Sequence, residues 1–270
     1  MLTGRRKRGR YRFKRWVNVT AFILLLAFGI LFMLKLIPKE FFRQFGGIVI
    51  SEISEKDRKK LKEIESGDYP EELVNFLENH MEALDFVYKY PENKDKKFPV
   101  DLSREASSNE VPLLIQWDER WGYAKYGEDF IATGGCGPTA LSMAAIYLTK
   151  KPEYTPLKVA ETAYKKGYYI GGVGSKWSLI SEGCSYFGLN SQMVPLDESC
   201  MENALKEGQV IIASMGEGDF TRKGHFIVIR GFDDKGFYVN DPASYKNSEI
   251  VWEYETLKKQ IKNMWAMSAA

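Results

Sequence analysis

Histidine is almost missing from this chain: its 270 residues include only His80 and His225. A protein of this composition that needs an imidazole base has little choice of which to use. Cysteine is scarce as well. Cys136, Cys184 and Cys200 form no CxxC pair, which excludes a disulfide framework and a structural zinc site of ordinary ligand spacing. No acidic residue occurs in positions 1–15, although that stretch carries eight cations (Arg5, Arg6, Lys7, Arg8, Arg10, Arg12, Lys14 and Arg15). Taking those eight from the 38 basic side chains leaves 30 against 36 acidic ones, so a net charge of +2 conceals a body of net charge −6. Such a body is poorly suited to neutralising phosphates, and nucleic acid is excluded as a partner. With 44% hydrophobic and 27% charged residues the composition is globular, with room for one domain of ordinary size plus extensions.

Charge is also absent from Ala21 to Leu34, where every residue is apolar or glycine. The surrounding run from Trp16 to Ile37 is broken only by Asn18, Thr20 and Lys35. A helix of that length, at about 1.5 Å per residue, spans the roughly 30 Å hydrocarbon core of a bilayer. Small residues in an A-x-A arrangement do not follow the run, so a cleaved signal peptide fits less well than a signal anchor. The expected arrangement is a single-pass protein of the cell membrane, in a bacterium with one membrane. Its basic N-terminus stays in the cytoplasm, and the residues from about 38 onward lie outside. Residues 38–109 then read as a helical juxtamembrane spacer and extension. Within them Ser51 to Gly67 is charged, while Leu73, Phe76, Leu77, His80, Leu84, Val87 and Tyr88 recur at helical spacing between Pro70 and Pro91. That periodicity predicts one continuous helix with His80 on its apolar face. The polar, serine-rich stretch Asn93 to Glu110 reads as a surface connection to a domain covering 110–270.

The residues that carry chemistry lie in that domain. Thr133-Gly134-Gly135-Cys136-Gly137-Pro138-Thr139 leads into an apolar stripe of Leu141, Ala144, Ala145 and Leu148, which places Cys136 at the start of a helix. The helix N-terminus favours thiolate over thiol, and the flanking glycines leave the sulfur open to a ligand. With His80 on a helix face, His225 is the remaining base. It opens the alternating run His225-Phe226-Ile227-Val228-Ile229, which reads as a strand, followed by the turn signal Asp233-Asp234-Lys235-Gly236 and a second strand ending at Asn240-Asp241. Pairing centred on Asp233 would set Asp241 directly opposite His225, where a carboxylate can orient the imidazole. Gly171-Gly172-Val173-Gly174-Ser175-Lys176 lacks the order of a phosphate loop and reads as a flexible loop. Cys184 and Cys200 are compatible with a disulfide or with two free thiols. The C-terminal stretch reads as a strand from Ile250 to Tyr254 and a closing amphipathic helix to about Trp265.

Taken in order, Gly135-Cys136-Gly137-Pro138-Thr139, Gly224-His225-Phe226 and Asn240-Asp241-Pro242 resemble the papain-like bacteriocin-processing peptidases, cysteine-peptidase family thirty-nine, and in particular its stand-alone branch. The resemblance spans about Val111 to Ile261. It implies an α+β fold, with a helix bearing Cys136 packed on an antiparallel sheet. It also implies Cys136 as nucleophile, His225 as general base and Asp241 as orienting acid. Gln116 resembles the glutamine whose side-chain amide helps form the oxyanion hole. Twenty positions separate it from Cys136 (136 − 116 = 20), where transporter-borne relatives have only a few. The loop with Trp177 is implied to line the substrate groove, and the helical extension to pack on the domain. The expected activity is hydrolysis of peptide bonds in a peptide or protein substrate by a monomer, with no metal or cofactor. The alternatives are a cell-wall peptide amidase or transpeptidase, and a silent peptide-binding module.

Overall fold

In the computed structural model of the chain, the described residues are 54–270. The basic tail (1–15), the expected membrane anchor (16–37) and the first part of the spacer lie outside them. Among the described residues no helix is long and apolar enough to cross a membrane.

The extension opens with α1 (Glu55–Ser66), whose buried Ile64 is its anchor in the core. Pro70 starts α2 (Glu71–Leu77) with its fixed φ of −57°. The continuous helix expected from Pro70 to Pro91 does not form. Helix α2 ends at Leu77, a 3₁₀ turn spans Met81–Ala83, and α3 covers Leu84–Tyr88. His80 is thus not on a helix face but at a break, in non-helical backbone (φ −135°, ψ 61°) preceding the 3₁₀ turn. The apolar positions still bury together. Leu73, Leu77, Leu84, Phe86 and Val87 pack with Ile115, Trp117, Phe130, Ala132 and Ala243 of the following domain. Burial against that surface, rather than an unbroken hydrogen-bond ladder, fixes the segment.

The central helix α4 (Cys136–Thr149) is buried from Gly137 through Ile146 without interruption. The expected stripe is therefore wider than predicted, because α4 is covered on one side by α5 (Pro156–Lys165) and on the other by the sheet. Between them lie β1 (Tyr169–Ile170) and β2 (Gly174–Ser175), a short antiparallel hairpin where the sequence suggested a flexible loop. Asp129 holds the hairpin, its Oδ2 accepting from the Tyr169 hydroxyl at 2.9 Å and the Gly172 N–H at 3.0 Å.

The sheet comprises β3 (Leu189–Met193), then, beyond α6 (Glu198–Lys206), β4 (Val210–Met215), β5 (His225–Asp233) and β6 (Gly236–Asn240). After α7 (Tyr245–Glu249) come β7 (Val251–Trp252), α8 (Tyr254–Gln260) and β8 (Ile261–Ala269). The six strands are ordered β3-β8-β4-β5-β6-β7, every neighbouring pair antiparallel. Ile212, Phe226, Val228, Trp265 and Met267 face α4, while Ile211, Ala213, Ile227, Ile229 and Ala266 pack with Met201 and Leu257 of α6 and α8. The closing helix to Trp265 is corrected here. It stops at Gln260, and residues 261–269 are an inner strand next to the sheet's β3 edge, with Met264–Met267 buried in succession. A short apolar run buried on both faces carries no periodicity to separate strand from helix, so the partners on either side decide. Because Leu141 of α4 is fully buried in this core, Leu141→Ala is expected to destabilise the domain by about 2–5 kcal/mol. Denaturant unfolding followed by circular dichroism measures this, and a loss under 1 kcal/mol would contradict such packing.

Candidate active site

The first residue of α4 is Cys136, with Gly135 as the residue before it (φ −91°, ψ 14°). Two tight approaches explain the glycines around it. A Cβ on Gly137 would sit 2.7 Å from the Ser175 hydroxyl, and one on Gly174 (φ +103°) would sit 2.7 Å from the Gly134 carbonyl. The β1–β2 hairpin therefore lies directly against the turn carrying the sulfur, and Ser175 is held there by the Tyr126 hydroxyl at 2.8 Å. Cys136 itself is half-buried, whereas Cys184 is buried, and all three cysteines are free thiols.

His225 begins β5 and is buried opposite Met215 of β4. Its Nε2 donates to Asp241 Oδ1 at 2.6 Å, and the ring lies near enough to Cys136 for each to shift the other's pKa. With Nε2 committed to the carboxylate, Nδ1 is the nitrogen left for the sulfur. Asp241 is saturated with donors: Oδ1 also accepts from the Ala243 N–H at 2.8 Å, and Oδ2 from Asn247 Nδ2 at 2.8 Å. Its backbone N–H is bound by Ser248 Oγ at 2.9 Å. Burial alone would pull the imidazole pKa down, but the Asp241 charge and hydrogen bond, with the contribution of Cys136, outweigh it and raise His225 from 6.5 to about 10. Burial likewise pushes the Cys136 thiol up, and the His225 hydrogen bond and charge, helped by the backbone N–H groups of Phe226 and Gly137, pull it below its ordinary value. Both shifts favour a thiolate beside an imidazolium.

The expected register is wrong in detail. Asp233 faces Gly236 at the turn and Gly231 faces Tyr238, but Ile229 faces Val239, so Arg230 is an extra residue in β5. Without that bulge His225 would share a sheet face with Asn240. The inserted residue shifts the ladder by one, returns Asp241 to the His225 face, and sets it diagonal to His225 rather than opposite. Asn240, turned away, donates to the carbonyls of Val111 and Pro112 (3.1 Å each) and accepts from Arg230 Nε at 2.9 Å.

Gln116 is buried between the two halves of the site. Its backbone N–H donates to the Pro242 carbonyl at 2.9 Å and its Nε2 to the Ala132 carbonyl at 2.6 Å, while Oε1 is buried without a partner among the described residues. One N–H of the amide is not used by that contact. Trp177 is 48% exposed beside the hairpin, edge-on to Trp265. Three groups that serve Asp241 escaped the sequence reading: the Ala243 N–H, Asn247 and Ser248. A signal for two of them was present, because Ser244 stands three residues before Asn247 and its hydroxyl caps α7 there (3.1 Å). His80 is also close. Its Nδ1–H donates to the Ala243 carbonyl at 3.2 Å, its ring stacks on Phe76, and burial and then the nearby His225 charge lower its pKa, keeping it neutral. Among the described residues no group of His, Cys, Asp and Glu is arranged to hold a metal ion.

Residues 108–269 match the Peptidase_C39 like family. No curated protein matches the sequence. Among solved structures, the chain is similar to the peptidase domain of Streptococcus ComA, a bifunctional ABC transporter of a quorum-sensing pathway (15% identity, 51% of this chain and 93% of that one, TM-score 0.40). It is similar also to a double-glycine-motif protease from an AMS/PCAT transporter solved with its leader peptide (20% identity, 60% and 94%, TM-score 0.37). A third is a C39-like peptidase from Bacillus anthracis (15% identity, 65% and 99%, TM-score 0.39).

Proposed function

This chain belongs to the Peptidase_C39 like family, and from that premise we propose that it is a membrane-anchored cysteine peptidase acting on the outer side of the membrane through Cys136, His225 and Asp241. The observation that carries the reading is the buried His225–Asp241 pair, its carboxylate fully bonded, beside a half-buried sulfur at a helix start. In the reaction the Cys136 thiolate attacks the carbonyl carbon of the scissile peptide bond. The developing oxyanion is met by the Cys136 backbone N–H, which as first residue of α4 has no intrahelical acceptor, and by the second N–H of Gln116 Nε2. The imidazolium then gives its proton to the leaving amine, which departs as the tetrahedral adduct collapses to a thioester. Neutral His225 takes a proton from water, which attacks the thioester and releases the acid, leaving Cys136 as thiolate and His225 as imidazolium again. Asp241 holds the ring with Nδ1 toward the sulfur.

Anchoring rests on the charge-free run Ala21–Leu34 behind eight cations. The test incubates the chain with unfolded protein and, separately, with purified cell-wall sacculi. Cleavage of the unfolded protein is the expected result. Release of stem peptides without proteolysis would move the substrate class to the cell wall, and inertness toward both would leave a peptide-binding module.

A further inference from the structure

The extension that precedes the family-matched residues touches the site at two places, and at both it does so with a carboxylate. On the cysteine side, Glu72 of α2 accepts from the Phe130 N–H at 2.9 Å and from the Thr133 hydroxyl, holding the turn that immediately precedes Cys136. That same turn carries the Ala132 carbonyl to which Gln116 is bound. On the histidine side, Glu82 accepts from the Ser244 hydroxyl at 2.6 Å and the Tyr245 N–H at 2.9 Å. His80 donates to the Ala243 carbonyl one residue earlier. Ser244 is the cap of α7, and α7 supplies the Asn247 amide and Ser248 hydroxyl that fix Asp241. Ala132 and Ala243, one from each side, share one apolar cluster with Leu73, Leu77 and Leu84 of the extension.

We propose that residues 71–88 form a clamp across the two halves of the cleft, in which Glu72 and Glu82 are positioning residues for Cys136 and Asp241. This rests on the peptidase reading above. The sulfur and the imidazole sit on different layers, one on a helix and one on a sheet, and a small change in their separation is enough to break the ion pair. The extension fixes that separation from outside. Glu82 acts through a relay: it holds Ser244 and Tyr245, these hold α7, α7 holds the carboxylate, and the carboxylate aims the ring. Glu72 holds the backbone from which the sulfur projects. A packing role alone would be met by the apolar cluster and gives no reason for both carboxylates to bind chain segments flanking the reacting groups.

The experiment measures iodoacetamide labelling of Cys136 across pH, by mass spectrometry on the full chain in detergent, so that no substrate need be known. Glu72→Ala and Glu82→Ala are each expected to slow labelling at pH 6.5 by about tenfold and to move the acid limb of the profile upward, toward that of an ordinary thiol. Glu82→Gln, which keeps one acceptor oxygen and nearly the same volume, should fall between wild type and Glu82→Ala. Tyr88→Phe serves as control. It removes a hydrogen bond internal to the extension, from Tyr88 to Glu63 of α1, away from both halves, and should lower the melting temperature without moving the profile. If all three glutamate variants keep the wild-type profile and lose only thermal stability, the clamp is wrong while the peptidase reading stands. If wild-type Cys136 itself labels like a free cysteine, both fall together.

Discussion

Replacing Cys136 with alanine is expected to lower peptide hydrolysis by roughly four orders of magnitude or more while the domain stays folded. The size follows from the mechanism. Without the sulfur there is no thioester, and attack by water must proceed with only the oxyanion donors and substrate positioning to help. The fold tolerates the change because Cys136 is half-buried at a helix start rather than in the packed stretch that follows it. Mass-spectrometric comparison of peptides shed from cells carrying wild type or Cys136→Ala reads the loss directly, with circular dichroism reporting the fold. A variant that still sheds the same peptides at a comparable rate would remove Cys136 from the chemistry.

The second large effect concerns His225. In His225→Gln the thiol loses the hydrogen bond and charge that depress it and returns toward its ordinary value of 9.0. Labelling of Cys136 at pH 6 should then fall by about ten- to a hundredfold. A more basic thiolate is also the better nucleophile, which recovers part of the loss of thiolate. The same pair shapes stability. His225 is raised from 6.5 to about 10, so its contribution is complete below 6.5 and is lost as pH rises through its folded value. Cys136 is lowered from 9.0, so its contribution is complete above 9.0 and is lost as pH falls through its folded value. Below 9.0, and for as long as Cys136 keeps its thiolate above 6.5, the two slopes cancel, because folded and unfolded chains hold the same single proton on different atoms. Denaturant midpoints measured against pH should therefore show a plateau there that declines on both sides, and His225→Gln should not show this profile. Hydrolysis, which needs thiolate and imidazolium together, should fall on the acid side as the thiol protonates and on the alkaline side as the ring does not.

What could be read from the sequence was whatever local chemistry dictates. Gly135-Cys136-Gly137-Pro138 announces a helix start because few other elements want glycine, glycine and proline in that order. The β5 strand and its turn were legible for similar reasons. What was not legible depended on partners far along the chain. Nothing around Arg230 marks a bulge, yet that one residue decides whether Asp241 or Asn240 shares a face with His225. The assumed simple hairpin reached the right face only because its register error was two residues, an even number. His80 looked like part of a helix since its spacing was correct; the chain breaks there because the segment from 80 to 82 is bound to residues 243–245 instead. The strand at 261–269 was mistaken for helix because its apolar run is ordered by β3 and β4, which lie on either side of it.

That strand has a consequence for how the domain comes into being. Residues 261–269 are the last of the sheet to be synthesised, yet they separate β3 from β4, which are complete long before. The nascent polypeptide therefore cannot close its sheet from the front. It must hold a vacant lane open, with two unzipped edges, until this final segment emerges and slots between them. Closure of the sheet thus waits on the arrival of nine residues.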